Sequence, residues 1–187
     1  GDGDANSNIT FAGSDIITVT TGGSERARID ANGTMFIGET ANSFVTTGLS
    51  INQGASDDYA FSIGSSDVGH GLTTLATTTT YFAISKRDGD GGGARIRGFA
   101  DSDAGAGDAL QLQGNLAEAA DTTDTTSGKG VVSIVGNVTD GGTSVEGVAS
   151  NGNAVVMGTA STVHFLMKGN GDLHASDTSI AGLDDMP

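Results

Sequence analysis

The apolar residues of this chain come in short β-branched runs, and Gly, Asn, Asp or Ser closes each run within a few positions. No helical period persists for three turns anywhere, so the pattern is one of short strands joined by tight turns. Ile9–Ala12 and Ile16–Thr21 are the first two runs, split by a Gly-Ser-Asp turn. Arg26–Asp30 and Met35–Gly38 flank Ala31-Asn32-Gly33-Thr34. Phe44–Ile51, Tyr59–Ile63, Tyr81–Lys86 (entered through a Thr-rich stretch, 77–80) and "ARIRGF" (94–99) continue the series. "LQLQG" (110–114) alternates cleanly, and "VVSIVGNV", "SVEGVAS", "NAVVMGTA" and "VHFLMK" follow. Residues 115–120 are the one candidate helix. The expected fold is all-β: short antiparallel strands and hairpins in a sandwich or an intertwined trimeric β-fibre, with at most one short helix.

Asn32-Gly33 is the strongest hairpin signal, because both residues tolerate positive φ. As a two-residue loop it sets Ile29 opposite Phe36 and Arg26 opposite Glu39, an apolar pair and a charge pair. A three-residue loop shifts that register by one. The phrase has an echo: "ARIDANGTMFIGET" (27–40) and "FLMKGNGDLHASDT" (165–178) share an apolar run, Asn-Gly, a polar and an apolar residue, and a Thr-ending tail. The copies lie too far apart for a solenoid. One kind of hairpin used twice is the expectation, with His174 opposite Met167.

Composition limits what such strands can build. The sequence has no Trp, two Tyr and seven Phe, and 36% of its residues are hydrophobic. A lone subunit would have a thin core, since large rings supply much of a core's burial. Gly is abundant at 31 residues and Pro occurs once, without the period of collagen. The formal charge of −15 repels nucleic acid and anionic membranes, so neither is an expected partner. No apolar run approaches the ~18 residues that span a bilayer. There is no Cys, hence no disulfide or thiolate metal site. The start lacks Met and a signal peptide, which reads as a processed product, a fragment or part of something longer.

Chemistry-bearing residues are sparse. His70, His164 and His174 have no Asp, Glu or Ser at a relay or zincin spacing, and ordinary strand positions are the plain reading. The sharper one gathers three symmetry copies of His70 around an ion. Asp2, Asp4, Asn6 and Asn8 alternate, and Asp88 and Asp90 flank a Gly. Both segments lack the Glu that closes an EF-hand, with Gly13 and Phe99 at that position. Solvated turns are the default, and loose calcium at a seam between chains is the one cofactor left open.

A glycosidase needs paired carboxylates and aromatic platforms. Glu25, Glu39, Glu118 and Glu146 are the only Glu residues, and Tyr59 and Tyr81 the only Tyr. No nucleophile elbow or phosphate loop occurs. The expectation is a non-enzyme with no catalytic, cofactor-binding or metal-ligating residues. Six of the eight basic residues fall in three pairs: Arg26/Arg28 and Arg95/Arg97, each on one strand face, and Lys86/Arg87. Such pairs meet carboxylates across a strand or subunit, or, on the sharper reading, a glycan or other anionic ligand.

"SERARIDANGTMFIGET" resembles a phrase of tail-fibre and other fibrous virion proteins of bacteriophages. "LSINQGASDDYAFSIGSSDVGHGLTT", "GGGARIRGF", "LQLQG" and "FLMKGNGDLHA" are similar to a group of uncharacterised phage proteins, and the likeness covers about residues 22–175. The resemblance implies a β-rich virion structural protein, usually a homotrimer: a tail fibre, tail tip or capsid-surface appendage. It implies copies of itself and other virion proteins as partners. Loops 64–72, 88–93 and 100–108 are then the candidate contacts to a host-surface glycan or protein. Some members of the resembled group carry a C-terminal self-cleaving chaperone, and with the sequence stopping at "AGLDDMP" a cleaved product is one expectation. The expected organisation is an N-terminal arm with lead-in strands (1–21), a fibre or appendage domain (22–178) and a C-terminal tail (179–187). A tailspike-like glycan hydrolase and a cellular surface adhesin or filament subunit are the alternatives.

Overall fold

The computed structural model describes residues 3–101, 105 and 107–176. Asp2, part of the 100–108 loop and the 179–187 tail fall outside them. The fold is all-β, and no helix occurs among the described residues. The expected helix at 115–120 is absent: the segment holds one turn's worth of apolar residues, too little to repay helix nucleation.

The chain divides into two compact units, Gly1–Gln111 and Leu112–Pro187. The first holds a five-stranded sheet of β1 (Asn8–Ala12), β2 (Ile16–Thr21), β3 (Ser24–Ile29), β4 (Met35–Ile37) and β5 (Leu49–Ile51), ordered as in sequence. The lead-in strands β1 and β2 thus belong to the same sheet as β3, and the boundary expected after residue 21 falls in a hairpin turn. A three-stranded sheet follows: β6 (Tyr59–Gly64), β7 (Thr80–Asp88) and β8 (Gly92–Gly98). The second unit holds a two-stranded ribbon, β9 (Asn137–Thr139) with β10 (Val145–Gly147). Its other sheet is three-stranded: β11 (Asn153–Thr159), β12 (Thr162–Lys168) and β13 (Leu173–Ala175).

The opening hairpin takes the three-residue loop. Ile29 pairs with Met35 and Arg28 with Phe36, so the register is one residue off the Ile29–Phe36 expectation. Asp30 decides it. Gly33 N donates to Asp30 O at 2.9 Å, closing a turn, and Gly33 then adopts φ +81°. Asp30 Oδ1 accepts from the N–H groups of Asn32 and Thr34 at 3.0 and 2.9 Å. This is a turn followed by a left-handed residue, the usual form of a three-residue loop. The echo folds the same way. Gly171 N donates to Lys168 O at 3.0 Å, Lys168 N donates to Asp172 O at 2.9 Å, and Gly171 has φ +89°. His174 therefore faces Leu166, and Met167 faces Leu173.

Two further features depart from the sequence reading. Phe44–Ile51 is mostly loop, and its last three residues pair with β4 in parallel, the one parallel pair among the described strands. The connection crosses over one sheet face, where it covers Phe36 and accepts a 3.1 Å bond from Thr34 Oγ1 at Thr46 O. "LQLQG" forms no strand, because alternation makes a strand only where a neighbour offers its ladder and no strand pairs with it.

Candidate functional site: an unpartnered apolar face and a basic groove

Residues directly opposite in a ladder point to the same face, and so do residues two apart along a strand. In the five-stranded sheet this rule picks out two rows. One runs Phe11, Ile17, Ile29, Met35, Leu49; the other runs Ile9, Val19, Ala27, Ile37, Ile51. All ten are apolar and share one face. None is fully buried: six are exposed, from Phe11 at 80% to Ile37 at 37%, and Ile17, Val19, Ala27 and Ile51 are half-buried.

The opposite face is polar at Thr10, Thr18, Arg28 and Ser50, with Phe36 buried beneath the crossover loop. A bulge at Val19/Thr20 inserts an extra residue in β3. It brings Glu25 onto the same face as Arg28, where the two form a two-pronged ion pair, Nη2–Oε2 at 2.8 Å. The Arg28 hydrogen bond holds the Glu25 carboxyl below the usual range. Arg26 and Arg28 accordingly do not share a face: Arg26 Nε donates to Thr21 Oγ1 at 3.2 Å. Glu39 does not meet Arg26. It accepts from Ser50 Oγ on β5 and from Asn52 Nδ2, and these bonds, Ser50's first, lower its pKa.

The β6–β8 sheet repeats the two-faced design, whereas the β11–β13 sheet carries apolar side chains on both faces, with Val156 and Leu166 in one row beside His174. Phe61, Ile63, Phe82, Ile84 and Ile96 share a face of the β6–β8 sheet, with Phe61 and Phe82 edge-to-face at 6.3 Å. Val155, Met157, Phe165, Met167 and Leu173 share a face of the β11–β13 sheet. Fully buried apolar side chains among the described residues are Phe36, Ala83 and Phe99.

The polar face of the β6–β8 sheet carries Arg95 and Arg97 side by side, opposite Ser85 and Ala83, as expected for that pair. Among the described residues of the chain, neither meets a carboxylate. Arg97 Nη1 donates to Tyr59 Oη at 3.0 Å, and Arg95 Nη2 to the Arg87 carbonyl at 3.0 Å. Arg87 stands exposed beside them. Lys86 pairs with Asp57 at 2.7 Å. Together with Asp58 and Leu75 these side chains line an open groove of about 290 Å³.

His70 lies in the β6–β7 connection rather than on a strand. It is 1% exposed and stacks on Phe99 at 4.8 Å, and Nδ1 accepts from Leu72 N at 3.2 Å. Burial within its own subunit keeps it from meeting symmetry copies around an ion. His164 and His174 do sit on strands, β12 and β13. His164 bonds Thr159 Oγ1 at 2.9 Å and Ser176 Oγ at 3.2 Å, with no carboxylate among the described residues to complete a relay. Asp88 spends its carboxylate on the turn, accepting from Gly91 N and Asp90 N. No group of three His, Asp or Glu suited to a metal ion occurs among the described residues. The sequence placed Arg95 and Arg97 on one face. It did not pick out Asp57 and Leu75, which come from outside the strands and carry no motif. No family model, curated protein or solved structure matches this chain.

Proposed function

We propose that this chain is a self-assembling, non-enzymatic structural protein of a phage particle, a tail fibre, tail tip or capsid-surface appendage, built as a homotrimer. The observation that carries the assembly is the ten-residue apolar face. Its six most exposed side chains present on the order of 600 Å² of contiguous apolar surface, the upper end for a monomer's largest patch. Covering that much surface is worth on the order of 15 kcal/mol per copy before the costs of association are subtracted. The thin core points the same way. Among the described residues, fully buried apolar side chains are few: Phe36, Ala83 and Phe99.

Copies of the chain are the fitting occupants, because each offers the same unsatisfied face. Three such sheets around an axis bury all three faces and leave the polar faces, with their carboxylates, in water. The virion placement rests on the resemblance of the Arg28-Ile29-Asp30 hairpin phrase and its echo to fibrous virion proteins. Mass spectrometry and antibody labelling of purified particles test it: the chain should be a stoichiometric particle component seen on projections. Its absence from particles, or release of oligosaccharide from a polysaccharide, overturns the reading.

A further inference from the structure

The groove on the β6–β8 sheet is electrostatically at odds with the rest of the molecule. Four of the eight basic residues of a −15 chain line it. Carboxylates outnumber cations almost threefold, with 23 Asp and Glu in all, yet no carboxylate lies within ion-pair distance of Arg87, Arg95 or Arg97 among the described residues. Like charges packed side by side repel, and a shared anion relieves that repulsion. The guanidinium fork matches a planar carboxylate.

The rest of the lining narrows the ligand further. Asp57 and Asp58, both exposed, line the groove and can only accept hydrogen bonds when ionised, so they suit a ligand with hydroxyl donors and disfavour a dianion. Tyr59, also in the lining, donates to the Leu75 carbonyl at 2.8 Å while accepting from Arg97, so two hydrogen bonds orient its ring. The volume, about 290 Å³, admits one monosaccharide unit.

We propose that this groove binds a carboxylate-bearing sugar of the uronic-acid type, its carboxylate on Arg95 and Arg87 and its hydroxyls on Asp57 and Asp58. The inference stands on the groove alone and does not require the assembly. The test is titration of the full chain with galacturonate, galactose and sulfate, read by NMR shifts of Tyr59 and Leu75. Galacturonate should give saturable shifts, galactose at least tenfold weaker ones, and sulfate likewise. Arg95→Gln and, separately, the exposed Arg87→Gln should each weaken galacturonate at least fivefold with the solution mass of the protein unchanged. Asp58→Asn should weaken galacturonate and strengthen sulfate. No saturable binding of galacturonate, equal binding of galactose, or tighter binding of sulfate overturns the proposal. So does loss of the oligomer in Arg95→Gln, which would make the groove a contact between copies.

Discussion

Gly38 is the residue on which the five-stranded sheet's parallel edge depends. It ends β4 with φ +76°, its N–H donates to Arg26 O at 2.9 Å, and a Cβ there would run into the carbonyl oxygen of Asn52. Gly38→Ala combines backbone strain with a backbone clash and should cost more than about 2 kcal/mol. Gly33 shares the positive φ but faces open space, so Gly33→Ala should cost only about 1 kcal/mol. Urea midpoints of the two variants check the order, and equal losses would contradict it. The Glu25–Arg28 pair gives a pH signature at the same scale. A carboxylate whose folded pKa is depressed adds stability above its unfolded pKa, and loses it as pH falls through the folded value. Both side chains are partly exposed, so the contribution is under about 1 kcal/mol. The stability gap between the parent and Arg28→Gln should be present at pH 7 and close below about pH 4. A gap independent of pH in denaturant titrations would contradict the assignment.

At the scale of the element, the two faces of the first sheet make opposite predictions. Ile29 lies on the central strand within the apolar face, and Thr18 lies on the polar face beside Arg28. Ile29→Glu should dissociate the assembly while leaving the β-type circular dichroism spectrum in place. Thr18→Glu should leave the mass in solution unchanged. If Ile29→Glu retains the parent mass, this face is not where copies meet. The individual strands could be read from β-branched runs and their closing turns: β2, β6 and β12 lie within a residue or so of the runs that announce them. Register could not, because Asn-Gly serves two- and three-residue loops alike and the choice fell to Asp30, a side chain that caps two loop amides. The parallel pairing of β5 and the failure of 110–114 to pair both depend on which distant strand is a neighbour, and periodicity carries no information on that. For the same reason Arg95 and Arg97 were legible as a pair, while Asp57 and Leu75, brought in by loops, were not.

At the scale of the whole molecule, a thin core and abundant Gly fit the proposal that the chain completes its burial against copies of itself. Leu112, Val131, Val132, Ile134 and Val135 lie in segments with no strand partner among the described residues and are about half exposed or more. Charge opposes the association that burial favours: each copy carries −15, and that repulsion is screened within ~8–10 Å at physiological salt. Assembly should therefore tighten severalfold between 20 and 300 mM NaCl, values chosen to carry the screening length from about 20 Å down to 6 Å. Sedimentation at a series of salt concentrations measures it. A weakening with salt would mean that ion pairs, not apolar faces, hold the copies together. The most direct measurement is the mass of the full chain in solution by light scattering from high nanomolar to micromolar concentration. A trimer should scatter as a particle of about three times the 18.5 kDa chain mass. A cooperatively folded species of one chain mass at micromolar concentration would contradict it.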